Sequence, residues 1–288
     1  MPTVATGRPT GNDTTEPKLT YYVPFPPGST GRLEAETNWL LLAAVPIVGF
    51  AAGFINTLAG SGSLITLPVL ILLGLPANVA NGTNRVGILI QNIVAVTTFH
   101  RRGVLRPQGS IKLILPAIIG SIVGAALAVD LDESLLNRTI GSLMLVMLVV
   151  VIARPRRWIE THASGSAAPY WVQALAFFGV GAYGGFIQAG VGVFLLASLV
   201  LAGGYSLVGA NAVKNLIVLA FTIAALVVFV INDQVRWGLG LLLGSGNAVG
   251  AFIAARMAVA KGAGFVRNIL IAILLVSAIA MLTDFRLA

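Results

Sequence analysis

Cysteine is absent from this chain, and histidine and acidic residues are scarce. Without cysteine, the protein has no disulfide framework, no thiolate metal ligand and no cysteine nucleophile. The two histidines, His100 and His162, stand beside charged turns and not in a cluster, so neither a metal site nor another cofactor is expected. The sequence also offers no paired carboxylates and no nucleophile beside a base, and we therefore do not expect an enzyme.

Charged residues of either sign are few. They make up 10% of the chain against 57% hydrophobic residues, and the mean hydropathy is +0.93. A soluble domain carries roughly 25% charged residues, because its surface must face water. Asp and Glu are missing from three long tracts, 39–129, 169–232 and 234–283. Such tracts predict repeated bilayer crossings in a multi-pass protein of the bacterial inner membrane.

The long apolar tracts divide into ten segments behind a polar tail, residues 1–38, which we expect to be disordered or extended. The segments are 39–58, 63–73, 79–99, 111–129, 134–153, 170–188, 192–203, 207–231, 237–259 and 266–283. Eight are about long enough for a hydrocarbon core that requires about 20 residues, whereas 63–73 and 192–203 would rise only about 17 Å as helices. The prediction is an all-α fold with eight long and two short helices, the short ones broken or re-entrant.

Each short segment follows a glycine-rich turn, and the two turns align at a constant offset of 130 residues. The same offset pairs Gly74 with Gly204, Ala80-Asn81 with Ala210-Asn211, Phe99 with Phe229 and Arg106 with Arg236. A register held across about 70 positions indicates an internal duplication. We assign the first transmembrane repeat to 39–153 and the second to 170–288, with a basic cytoplasmic linker at 154–169.

The basic residues predict how the two repeats are oriented. The loop 100–112, the loop 154–162 and the turn containing Lys261 carry cations without acids, and are therefore cytoplasmic. The turns near residues 130–133 and 233 are not net basic and fall outside. The positive-inside rule thus explains the net charge of +8, and no nucleic-acid partner is expected. Counting crossings from these loops gives two repeats of opposite orientation, as in many secondary transporters.

Inverted-repeat transporters bind substrate near the bilayer midplane, where broken helices meet. Arg85 and Lys214 follow the two short segments in nearly matching places, within apolar surroundings that contain no carboxylate. A cation at membrane depth requires a partner, which an anionic substrate would supply. The alternative is that both side chains snorkel to the interface.

Helix N-termini after the glycine turns and nearby polar side chains extend the candidate substrate-binding site. Its members besides the two cations are Asn81, Thr83, Asn84, Asn211, Asn215, Ser61, Ser63, Gly60, Gly62, Gly190 and Gly192. Weaker candidates are Gln91, Asn92 and Gln188, since an amide in a membrane helix is as often an interhelical hydrogen bond. Gly120, Gly124, Gly246 and Gly250 are interpreted as close helix-packing points.

These residues resemble the signatures of the TauE/SafE family of sulfite and organosulfonate exporters. The first signature comprises Gly53-Phe-Ile-Asn-Thr-Leu-Ala-Gly-Ser-Gly-Ser63, Leu67-Pro68, Gly74-Leu-Pro76, Ala80-Asn-Gly-Thr-Asn-Arg85 and the basic Phe99-His-Arg-Arg-Gly103. The second comprises Gly209-Ala-Asn-Ala-Val-Lys-Asn215, Gly246-Asn-Ala-Val-Gly-Ala251 and Lys261-Gly262. The resemblance covers residues 40–284 and implies a permease for small sulfur-containing anions such as sulfite, sulfoacetate or taurine.

The sequence therefore predicts a secondary transporter that exports such an anion by alternating access. Buried acids, on which proton and sodium coupling often depend, are absent, which favours export driven by the membrane potential, although backbone carbonyls can still bind sodium. An anion channel and an importer of a small carboxylate are the alternatives. The expected partners are the anion, the lipid bilayer and, as one option, a second copy in a homodimer.

Overall fold

A computed structural model describes residues 39–105, 111–132, 169–201 and 205–284, with isolated positions between 134 and 142; side chains are described from residue 42 to 269. The tail 1–38, the linker 154–168 and most of the segment 134–153 lie outside the described residues. Every regular element in the described part is an α-helix.

Eight helices are described. They are α1 (Trp39–Ala59), α2 (Ser63–Leu72), α3 (Ala77–Arg101), α4 (Ile111–Val129), α5 (Tyr170–Phe186), α6 (Val191–Leu201), α7 (Leu207–Ile231) and α8 (Trp237–Asp284). Apolar runs form helices because a bilayer offers the backbone no other hydrogen-bond partner. Four helices, α1, α4, α7 and α8, have a stretch long and apolar enough to cross a membrane.

The predicted helices 237–259 and 266–283 both lie in α8, which breaks between them at Gly262. At this residue the backbone leaves helical geometry, with φ 71° and ψ −168°, so α8 consists of two helices that meet at a kink. Glycine adopts a positive φ without a Cβ clash, so one residue absorbs the change of direction. The short helices α2 and α6 are present, close to the predicted bounds.

Small residues bring the long helices together in two pairs. On α8, a Cβ at Gly246 or Gly250 would collide with the backbone of α1 near Pro46 and Phe50. On α4, a Cβ at Gly120 or Gly124 would collide in the same way with the backbone of α5. The prediction that these four glycines are packing points is confirmed, and their four-residue spacing is typical of close membrane helix pairs.

The two pairs, α1 with α8 and α4 with α5, enclose the central helices α3 and α7, which pack on each other. Polar side chains cluster inside the described part of the fold, whereas large apolar residues such as Ile47, Leu72 and Ile231 are largely exposed. This distribution is the reverse of that in a soluble protein and fits an apolar exterior that faces lipid.

Candidate functional site

The two helix breaks meet each other in the centre of the protein. Gly60 and Gly190, which the 130-residue offset relates, both adopt positive φ angles, 80° and 73°. The N–H of Gly192 donates to the carbonyl oxygen of Gly60 at 3.3 Å. A Cβ on either Gly60 or Gly192 would collide with the backbone of the other, so this contact requires glycine on both sides.

Lys214 reaches from α7 to the carboxyl end of α1. Its Nζ donates to the carbonyl oxygens of Asn56 at 3.0 Å and Thr57 at 2.8 Å, and the side chain is 1% exposed. The last carbonyls of a helix have no partner within the helix and carry the negative end of its dipole. Lys214 therefore stabilises the end of α1 at the point where the chain breaks.

Arg85, on the central helix α3, binds the carboxyl end of α5 in the same way that Lys214 binds the end of α1. Its Nη1 donates to the carbonyl oxygen of Gly184 at 3.1 Å, and its Nη2 donates to that of Gly185. The guanidinium carbon also lies 4.6 Å from the centre of the Phe229 ring, a cation–π contact. The side chain is fully buried.

Both cations thus lie inside the protein and not at an interface, which does not fit the snorkelling alternative. The partners that the sequence could not supply are backbone carbonyls of the other half of the chain. Each helix end contributes a charge of roughly −0.5, so each cation retains roughly +0.5 and the pair together roughly +1. The centre is therefore still favourable for a small anion.

A small cavity lies at this centre, with room for about one water molecule. Four members of the predicted site line it: Gly60, Gly192, Lys214 and Asn215. Sequence reasoning ranked Gln91, Asn92 and Gln188 as weaker candidates, yet they line the cavity too. Asn56 was not singled out, although it lies there as well. The position of Asn56, four residues before the break at Gly60, could have indicated that it lies at the cavity.

Three predicted residues do not line the cavity and have protein partners. Asn81 donates through Nδ2 to the carbonyl oxygen of Phe186 at 2.7 Å. The Thr83 hydroxyl accepts from the backbone N–H of Arg236 at 2.9 Å. Asn84 Oδ1 accepts from the Thr66 hydroxyl at 2.7 Å. These contacts tie α3 to the end of α5, the start of α8 and α2.

The remaining predicted residues surround the two breaks. Ser61, Ser63 and Asn211 are buried, and their side chains have no hydrogen-bond partner within the described structure. Gly62 precedes the first residue of α2, and Gly190 lies at the turn before α6. Within the described ranges no group of three or more His, Asp or Glu side chains could hold a metal ion.

Comparison with known proteins places the chain in a family. Residues 45–281 match the sulfite exporter TauE/SafE family. The chain belongs to this family. A relative from Sinorhizobium sp., "Probable membrane transporter protein ORF9", is 27% identical over 85% of this chain and 93% of its own length. "Probable membrane transporter protein YfcA" of Escherichia coli K12 is 29% identical over 85% and 91%.

A third relative, "Probable membrane transporter protein" of Haemophilus influenzae, is 26% identical over 80% of this chain and 90% of its own. No solved structure matches the chain. The TauE/SafE match confirms the resemblance drawn from the motifs. Together with the apolar helices, it identifies a multi-pass inner-membrane protein that acts as a membrane transporter.

Proposed function

We propose that this protein is a secondary transporter that exports a small sulfur-containing anion, such as sulfite or an organosulfonate, by alternating access. One observation carries the proposal. The buried Lys214 ammonium lines a cavity where the two helix breaks meet, and none of the buried side chains in the described ranges is acidic. A cationic centre that lacks carboxylates favours an anionic substrate.

The proposal includes two inverted repeats, 39–153 and 170–288. The 130-residue offset relates α1 to α5 and α3 to α7, and after a four-residue deletion an offset of 126 relates α4 to α8. The packing supports this relation because it is reciprocal: the first helix of each repeat lies against the fourth of the other. Gly103 and Asp233, which the offset also pairs, both have positive φ angles, 70° and 55°.

The two cations have different roles in this proposal. Lys214 lines the cavity and is the substrate ligand, with a hydrogen-bonding direction to spare beyond its two carbonyl partners. Arg85 does not line the cavity; it is a positioning residue that fixes the end of α5 and, through Gln188 Oε1 at 3.4 Å, one wall of the site.

Alternating access follows from the small size of the cavity. The space in this conformation is smaller than any oxyanion, so the breaks must separate to admit substrate from one side at a time. Gly60 and Gly192 hold the breaks together through a single backbone hydrogen bond, which permits such separation.

Export requires no coupling residue, because the inside-negative potential favours the exit of an anion by about 2.3 kcal/mol per charge per 100 mV. Sodium bound by backbone carbonyls at the breaks would instead support import, for example of a small carboxylate. Orientation-controlled vesicles with an imposed potential separate the two directions.

Counterflow in proteoliposomes tests the function. Vesicles loaded with sulfite, taurine, sulfoacetate, thiosulfate or acetate are given a trace of labelled sulfite or taurine. We expect saturable accumulation of label with the sulfur-containing anions and little with acetate. Sustained unitary currents without counterflow would establish the channel alternative, and preference for acetate would establish a carboxylate transporter.

A further inference from the structure

Three amide side chains, Gln91, Asn92 and Gln188, line the cavity beside Lys214 and are at most 2% exposed. Gln188 is fully engaged: its Nε2 donates to the Thr222 hydroxyl at 2.6 Å and its Oε1 accepts from Arg85. In each of the other two amides, Gln91 and Asn92, one polar atom has no hydrogen-bond partner within the described residues. Which atom it is indicates what kind of ligand the cavity suits.

Asn92 is oriented by the helix that carries it. Its Nδ2 donates to the carbonyl oxygen of Ile88 at 2.8 Å, and a carbonyl can only accept, so the amide cannot be reversed without two oxygens facing each other. Asn92 Oδ1 is therefore the atom turned away from α3. It is buried and has no hydrogen-bond partner within the described residues.

Gln91 presents the opposite chemistry. Its Oε1 accepts from Asn56 Nδ2 at 3.1 Å, and its Nε2 has no partner in the described part of the chain. The cavity lining thus combines one cation, one unsatisfied donor and one unsatisfied acceptor. Buried polar atoms are normally hydrogen-bonded, and both of these unsatisfied atoms belong to residues that line the cavity proposed to bind substrate.

We propose that Asn92 Oδ1 selects for a sulfite or sulfonate ligand that itself carries an O–H or N–H donor, such as hydrogensulfite or a hydroxy- or aminosulfonate. This inference rests on the proposed function. The anionic oxygens of such a ligand accept from Lys214 and Gln91, while its donor bonds to Asn92 Oδ1. A fully deprotonated oxyanion or a simple alkylsulfonate has only acceptors, and would place an oxygen or a methyl group against Asn92 Oδ1.

A single water molecule bridging Gln91 and Asn92 is the competing account, because a buried water satisfies a donor and an acceptor equally well. The two accounts differ in what Asn92 controls. A structural water makes Asn92 matter for stability alone, whereas a ligand contact makes it control the preference between ligands that differ only in a donor.

The test compares 2-hydroxyethanesulfonate with 1-propanesulfonate, in which a methyl group replaces the hydroxyl at equal charge and nearly equal size. Binding is measured by calorimetry on the full-length protein in detergent, for the wild type, Asn92→Leu and Asn247→Leu. Asn247 is the matched control: it is equally buried and its Oδ1 is also unpartnered within the described structure, but it does not line the cavity.

We expect the wild type and Asn247→Leu to prefer the hydroxysulfonate by about three- to tenfold, the value of one hydrogen bond, and Asn92→Leu to lose the preference. Equal wild-type affinities, or an unchanged preference in Asn92→Leu, would overturn the inference while leaving sulfonate transport intact. The wild-type comparison requires no variant to fold. If neither ligand binds the wild type, while counterflow of sulfite and taurine also fails, the proposed function itself is wrong.

Discussion

Arg85 and Lys214 occupy nearly matching positions in the two halves of the chain, yet their surroundings differ. Each bonds to the last carbonyls of a helix that ends at a break. Arg85 divides its donors among two carbonyls, two side-chain amides and the face of Phe229, all inside protein. Among the described residues Lys214 has two carbonyl partners, and it lines the cavity.

The comparison shows that the same arrangement, a buried cation bonded to the last carbonyls of a helix, can be built with a side chain that fixes geometry or with one that can exchange partners. A guanidinium has a rigid fork of donors suited to fixing a geometry, whereas an ammonium is a compact charge that can exchange partners. We therefore propose that the half of the site that contains Arg85 provides rigidity and that the half that contains Lys214 receives the ligand. The following experiments break or sharpen this comparison.

Lys214→Met should have the largest effect. Methionine keeps the length of the side chain and removes the charge, so we expect sulfite counterflow at low concentration to fall about tenfold to a hundredfold, the value of a charged hydrogen bond. Initial rates in proteoliposomes measure this. Lys261→Met, which removes a cation that stacks on Phe265 outside the cavity, should retain the wild-type rate. Equal losses in the two variants would refute a specific role for Lys214.

Arg85→Met should be the more destabilising of the two charge removals, by about 3 kcal/mol in the free energy of unfolding, because it leaves Gly184 and Gly185 carbonyls without this donor. Lys214→Met should cost less, since Asn215 Nδ2 still donates to the Thr57 carbonyl at 3.3 Å. Denaturant titration in mixed micelles measures both. A greater loss of stability in Lys214→Met would reverse the assignment of roles.

Gly60→Ala tests the contact between the breaks, with Gly74→Ala as its control. Both glycines have positive φ angles, 80° and 87°, so alanine strains both by about 1 kcal/mol. Only at Gly60 does the new methyl group meet the backbone of Gly192, which adds about 1–3 kcal/mol. Unfolding titrations should separate the two variants, and Gly60→Ala should also slow counterflow. Equal stabilities would show that the breaks do not need to touch.

Asp233→Gly should have the smallest effect, and of opposite sign. Asp233 has φ 55° where the related position, Gly103, is a glycine with φ 70°. Removing the Cβ at this turn should stabilise the protein by about 0.5 kcal/mol. Gly103→Asp should destabilise the protein by a similar amount, because α3 ends before Gly103 in the same way that α7 ends before Asp233. Thermal unfolding in detergent measures both changes, and a shift in the same direction for both would argue against equivalent turns.

Much of the helical pattern was predictable because each apolar run is bounded by proline, glycine or charge. The bounds 111–129 and 207–231 match the structure, and Pro76 and Pro169 stand just before α3 and α5. The break inside α8 was predictable as well, since Lys261 and Gly262 are typical of a turn. Here the backbone bends at one glycine while its neighbours stay helical.

The candidate site was only partly predictable. The burial of Arg85 and Lys214 followed from their position after half-length segments. Their partners could not be predicted, because they are backbone carbonyls in the other half of the chain, and a carbonyl carries no sequence signal. Asn92 was ranked low for a related reason: only the hydrogen bond to Ile88 shows which of its two polar atoms is left unsatisfied.

The most direct test of the central claim, that Lys214 binds the substrate and Arg85 positions the site, is a calorimetric titration of sulfite into wild-type, Lys214→Met and Arg85→Met protein. All three are measured at a temperature at which each is folded by circular dichroism. We predict saturable binding to the wild type, a smaller loss of affinity in Arg85→Met, and a loss of about tenfold to a hundredfold in Lys214→Met. Wild-type affinity in Lys214→Met would contradict this account.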